Sequence, residues 1–186
     1  MRLFLASTPP PPLLKEITGY TYNLKKKLSG WELRIPPPGN IHMTYAFIGN
    51  FDPDKIADLK ETIKAVSSGI EKFSLQAGPV SFFPSERKIS GVWIPLEAAE
   101  AVVSLKDRLD EELLKLGIRQ THPGEYKPHI TIIRVKRKGG VDEDIREYMQ
   151  NYYFKYVMRC SAIELFESKL LPRGAVYRKV FSAELI

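Results

Sequence analysis

The chain opens on MRLFLAS, an apolar run of strand length that four prolines at 9–12 cut off. Proline suits the first turn of a helix, and beyond the block Leu14, Ile17, Thr21, Leu24 and Leu28 recur at helical spacings of three and four. Gly30 ends that pattern. An alternating run at 41–48 reads as a strand, and Ile56, Leu59, Ile63 and Val66 mark a second helix. FSLQAGPVSFFPS, 73–85, reads as a strand and turn. From residue 90 the order restarts. SGVWIPL (90–96) is a strand, and 98–117 is a helix with Val102, Leu105, Leu109, Leu113 and Leu116 on one face, stopped by Gly117. A second strand-like run at 126–135 follows, then a short helix around DEDIREYMQNYY and a strand in YVMRCSAIELFES.

Recurrence of the same order predicts a duplication, and the spacing tests it. Gly30 to Gly117 is an offset of 87, as is His42 to His129. Downstream, Phe73, Leu75, Ala77, Val80, Phe83, Ser85 and Gly91 recur as Tyr156, Met158, Cys160, Ile163, Phe166, Ser168 and Gly174, each 83 later. A helix about one turn shorter in the second copy accounts for the drop of four. The expectation is one α+β domain spanning 1–186, built from two β-α-β-α-β-β copies, about 1–89 and 90–186, that pack as a pseudo-two-fold pair.

Each copy carries a polar pair inside an apolar strand. In IHMTYAFI, alternation sets Ile41, Met43, Tyr45 and Phe47 on one face and His42, Thr44 and Ala46 on the other. In PHITIIRV, Ile130 and Ile132 face the core, with His129 and Thr131 opposite. Packed as a pseudo-dimer, the two polar faces meet across a cleft. A single His-x-Thr on a strand reads as a hydrogen-bonded structural pair. Two at equivalent positions argue for a use, since satisfying buried polar groups twice costs stability without one.

Histidine titrates near neutrality, so a pair can divide a reaction, one taking a proton and the other giving one. Threonine hydroxyls two residues along point into the same space and can donate to phosphoryl oxygens. This set suits in-line displacement at phosphorus and needs neither metal nor cofactor. A metal site lacks a third ligand: His122, in THPGEY, has no partner at a metal spacing and reads as an ordinary loop histidine. Neither G-x-G-x-x-G nor G-x4-G-K-[ST] occurs, and Cys160, in an apolar strand at the repeat position of Ala77, reads as packing.

Composition narrows the setting. With 186 residues and 44% hydrophobic content the chain can bury a single core. It has no run of about 18 uncharged apolar residues, so neither a membrane span nor a leader is expected. One cysteine excludes an intrachain disulfide and fits a reducing cytoplasm. A net charge of +6, with basic clusters at 24–28, 86–88 and 134–138, favours a polyanionic partner, although such runs are also ordinary solvated faces.

The motifs HMTY and HITI, one in each half, resemble those of the 2H phosphoesterase superfamily. More specifically MRLFLA, IHMTYAFIGN, YKPHITIIR and LFESKLLPRGAVYRKV resemble the RNA 2′,3′-cyclic phosphodiesterases, historically called 2′-5′ RNA ligases. The resemblance implies a bilobal α+β fold, with antiparallel sheets lining a central cleft and helices packed outside. It also implies metal-independent hydrolysis of RNA 2′,3′-cyclic phosphate ends to 2′-phosphates, and 2′-5′ ligation when run backwards. By motif position His42 is the proton donor and His129 the proton acceptor, while Thr44 and Thr131 bind the phosphoryl oxygens and Arg134 binds the phosphate. Alternation alone puts Arg134 opposite His129, so the role requires a β-bulge or a side chain reaching around the strand end. The matching position of the first copy is Phe47. Tyr45 and Phe166 read as core. The expected state is a cytoplasmic monomer that acts on RNA and not on membranes. Two other readings stay open: a 2H esterase for a small cyclic phosphate or a 2′-5′ oligonucleotide, and a non-catalytic RNA-binding module.

Overall fold

Pro11 and Pro12 open the first helix, where a missing N–H costs nothing. In the computed structural model, which describes residues 1–120, 126–172 and 174–186, the chain runs β1 (Arg2–Ser7), α1 (Pro11–Lys27), β2 (Glu32–Arg34), β3 (Met43–Asn50), α2 (Ile56–Ser67), β4 (Phe73–Leu75) and β5 (Ser81–Pro84). It continues through β6 (Ile89–Pro95), α3 (Glu100–Lys115), β7 (His129–Arg137), α4 (Glu143–Gln150), β8 (Met158–Cys160), β9 (Ala162–Leu171) and β10 (Gly174–Glu184). Gly30 and Gly117 end equivalent turns with φ of 79° and 78°, the left-handed region open to glycine.

Seven strands form one antiparallel sheet in the order β10-β9-β1-β3-β7-β6-β5, with β2 paired to β7 past the end of β3, on the edge opposite β6; β4 and β8 pair separately. At the centre Met43 faces Ile130. These residues are 87 apart in sequence, and equivalent residues facing each other across an antiparallel pair set a local two-fold axis between the strands. The copies also trade strands. β5, late in the first copy, pairs with β6, and its counterpart β9 pairs with β1. The sequence copies and the spatial halves of the sheet therefore do not coincide.

One face of the sheet is covered by helices. Leu3, Leu5, Met43, Val92, Ile94 and Ile130 share a core with Ile17, Ile63, Leu109 and Ile145 from α1, α2, α3 and α4. Each fully buried side chain of this size contributes roughly 1.5–3 kcal/mol. The α1 face differs from the expectation: Leu13 and Tyr20 are buried while Leu14 is half-exposed, because the stripe runs through 13, 17, 20 and 24. The opposite face carries a small apolar cluster of Phe4, Ala6 and Phe166, with Tyr177 packed against it. Among the described residues no helix is long and apolar enough to cross a membrane.

Candidate active site

His42 immediately precedes β3, and His129 begins β7. Continued one residue each way from Met43 and Ile130, the antiparallel register sets His42 against Thr131 and Thr44 against His129. The two imidazoles thus occupy a diagonal of the sheet, on the order of 7–8 Å between backbones in a regular pair. That spacing leaves room for a phosphoryl group between the rings. All four side chains are half-buried.

Both rings are held in the same way. The His42 Nδ1 lies 2.7 Å from the Asn40 carbonyl oxygen, and the His129 Nδ1 lies 2.8 Å from that of Lys127. A carbonyl can only accept, so Nδ1 carries the hydrogen in each ring and Nε2 is the nitrogen that titrates. Asn40 is anchored in turn: its side-chain Nδ2 donates to the Ala175 carbonyl at 2.7 Å, and its Oδ1 accepts from the Tyr177 N–H at 3.3 Å. The C-terminal hairpin thereby fixes the turn that orients His42. The Thr44 carbonyl accepts from the Tyr126 hydroxyl at 2.7 Å.

Burial, which disfavours the charged form, lowers the pKa of both histidines from the usual value. The hydrogen bond to each carbonyl opposes that shift, and the Arg134 guanidinium adds to it for both rings. Arg134 exerts this influence because β7 carries a bulge. Thr131 pairs with Trp93 but Ile133 pairs with Val92, which leaves Ile132 as the extra residue and returns Arg134 to the His129 face. β3 bulges at the equivalent place: Thr44 pairs with Ala6 and Ala46 with Leu5, leaving Tyr45 extra. This corrects strict alternation at two positions. Ala46 is buried in the main core, and Phe47 is on the histidine face, 53% exposed and 6.4 Å from Phe4 between ring centroids.

Aromatic rings wall the site. His42 lies 4.9 Å from Phe4 and 5.3 Å from Tyr177, and His129 lies 4.6 Å from Trp93 between ring centroids. Phe166 stacks on Phe4 and Phe83 packs on Trp93, so equivalent phenylalanines support opposite halves through the exchanged strands. Tyr45 is core, its hydroxyl 2.7 Å from Ser7 Oγ, whereas Phe166 lies on the site's face rather than in the main core. These walls are not among the site residues expected from the sequence, yet Phe4 alternates with Leu3 and Leu5, and Trp93 with Val92 and Ile94, a period-2 signal for the polar face.

Cys160 is a buried free thiol whose pKa burial pushes up to about 11, in keeping with packing. Among the described residues no three His, Cys, Asp or Glu side chains gather so as to hold a metal ion. His122 lies outside the described residues. A pocket of about 770 Å³ lies against Glu16, Tyr20, Tyr148 and Tyr152, and neither His42 nor His129 lines it.

The profile of the 2′-5′ RNA ligase superfamily matches residues 9–170. An RNA 2′,3′-cyclic phosphodiesterase of Methanothermobacter thermautotrophicus is 30% identical over 148 residues, covering 78% of this chain and 79% of that one. Another from Archaeoglobus fulgidus is 30% identical over 168 residues, covering 90% and 86%. Among solved structures, TT0787 of Thermus thermophilus superposes with a TM-score of 0.82 at 22% identity, over 100% of this chain and 98% of its own. LigT of E. coli, complexed with 3′-AMP, gives 0.77 at 19%, over 99% and 97%. At these identities the structural likeness is one of fold, an α+β arrangement of antiparallel strands with peripheral helices. Sequence and fold together place the chain in the RNA 2′,3′-cyclic phosphodiesterase/2′-5′ RNA ligase family of the 2H phosphoesterase superfamily.

Proposed function

We propose that this protein hydrolyses RNA 2′,3′-cyclic phosphate ends to 2′-phosphates without a metal ion. The observation that carries this reading is the pair of imidazoles on one sheet face, each with Nδ1 committed to a carbonyl two residues upstream and Nε2 left for chemistry. His129 Nε2 takes a proton from water as its oxygen attacks phosphorus. The P–O3′ bond breaks on the opposite side, and His42 Nε2 gives its proton to the departing oxygen. Thr44 and Thr131 donate hydrogen bonds to the non-bridging oxygens, and Arg134 offsets their charge. The products are a 2′-phosphate and a 3′-hydroxyl, with the two histidines left in exchanged protonation states that solvent resets. With an RNA 5′-hydroxyl in place of water as the nucleophile, the same displacement of O3′ forms a 2′-5′ linkage. The activity for which the two archaeal relatives are named supports this substrate class.

The test is hydrolysis of an oligoribonucleotide with a 2′,3′-cyclic phosphate end, in EDTA, with the product phosphate located by phosphorus NMR. A 2′-phosphate is expected. A 3′-phosphate would contradict the assignment of donor and acceptor, and a reaction abolished by EDTA would contradict metal independence.

A further inference from the structure

A second arginine shares the face of the catalytic groups. β2 pairs with β7 past the end of β3, on the edge opposite β6, so that Arg34 directly opposes Arg134, while their neighbours Leu33 and Val135 face each other against the core. Both arginines are exposed, and among the described residues neither makes a hydrogen bond or an ion pair. The nearby acids are engaged elsewhere: Glu32 with Lys136, Glu164 with Lys179 and Glu167 with Arg178. Two like charges directly opposed across a strand pair destabilise the fold, and no ion pair among the described residues offsets them. An anionic ligand would.

Arg34 also has a defined reach. A Cβ built on Gly174 would collide with Arg34 Nη2, so the guanidinium lies against bare backbone at the start of β10. Three residues on, Tyr177 edges the His42 ring. Arg34 therefore lies between β7 and the C-terminal hairpin, on the β3 edge of β7 and further along that strand than Thr131. An RNA held by its terminal phosphate between the histidines can lay its preceding phosphodiester along this side of the face.

Resting on the cyclic phosphodiesterase reading above, we propose that Arg34 forms a second phosphate subsite, which binds the internal phosphodiester joining the terminal nucleotide to the one before it. A guanidinium fork suits a phosphodiester, and such backbone contacts carry affinity and register without base preference. The subsite makes the enzyme prefer an oligonucleotide end over a cyclic mononucleotide, which has no such phosphate.

The test compares kcat/KM on a trinucleotide and on a mononucleotide, both ending in a 2′,3′-cyclic phosphate, for the wild type, Arg34→Ala and Arg34→Lys across a salt series. In Arg34→Ala the trinucleotide-to-mononucleotide ratio should fall about tenfold, mainly through KM on the trinucleotide, with Lys recovering part of it. The slope of log kcat/KM against log salt for the trinucleotide should weaken by about 0.7, one single-strand phosphate contact. The melting temperature should not fall, since an exposed, unpaired and repelled charge is removed. An unchanged ratio would overturn the subsite, as would an equal loss on both substrates. If the wild type turns over the mononucleotide in either case, the phosphodiesterase reading stands while the subsite falls. A wild type that turns over neither substrate would sink both.

Discussion

The chemistry of single residues rests on what holds the two histidines and what surrounds them. A carbonyl on Nδ1 fixes the tautomer of each ring, and burial with Arg134 keeps both below the usual histidine range. The sign of the pH dependence follows. The donor works only when protonated, so rate falls as pH rises through its pKa; the acceptor works only when neutral, so rate falls as pH drops through its own. Both values are depressed in the free enzyme, so the alkaline limb of kcat/KM should lie below pH 6.5, the unperturbed histidine value. A bound phosphate anion favours imidazolium, so the alkaline limb of kcat should lie higher. Arg134→Gln should lower kcat/KM and move both limbs of its profile upward. Limbs that stay in place would show that Arg134 does not act on the rings. The His-x-Thr pairs were legible in the sequence because side-chain type and an offset of 87 suffice to find them.

At the scale of elements, local backbone irregularity decides which side chains share the site. A bulge at Tyr45 and another at Ile132 swing Phe47 and Arg134 to the histidine face. The bulge in β3 was not legible, and the one in β7 was raised only as one of two ways to give Arg134 its role, because HMTYAFI and HITIIRV contain no glycine or proline to announce one. β10 is equally hard to read. Its residues are mostly exposed or half-exposed and show no clean apolar alternation, yet it anchors the turn before β3 through Asn40. Removing that anchor should be felt in the chemistry. Asn40→Ala loses two hydrogen bonds of about 1 kcal/mol each, which should lower the melting temperature by roughly 4–8 °C. It should also lower kcat by about tenfold with little change in KM, because a catalytic group held loosely costs transition-state alignment. A melting shift with kcat unchanged would reduce Asn40 to a structural tie.

At the scale of the whole molecule, each of the two sequence repeats supplies one histidine, and a local two-fold relation at Met43 and Ile130 runs between them. The offset of 87 is legible in the sequence, and Met43 facing Ile130 is its expression in the sheet. Strand exchange between the copies was not legible, since hydrophobic period reveals that a strand exists and not which strand it pairs with. It nevertheless shapes the site, because Phe166 and Phe83 each support the histidine of the other copy through Phe4 and Trp93. The walls break the symmetry: His42 has Phe4 and Tyr177 beside it, while His129 has Trp93. A near-symmetric scaffold with unlike walls allows the two imidazoles to take unlike roles, one serving the attacking oxygen and the other the leaving oxygen.

That division of labour is best tested by changing the leaving atom. His42→Ala and His129→Ala should each lose at least about 10²-fold in kcat on an ordinary 2′,3′-cyclic phosphate. On a substrate whose 3′-oxygen is replaced by sulfur, departure as a thiolate needs little proton donation. His42→Ala should then recover most of its rate, and His129→Ala should stay slow. Recovery by His129→Ala instead would reverse the roles, and equal recovery by both, or by neither, would contradict a division of acid and base between the two halves.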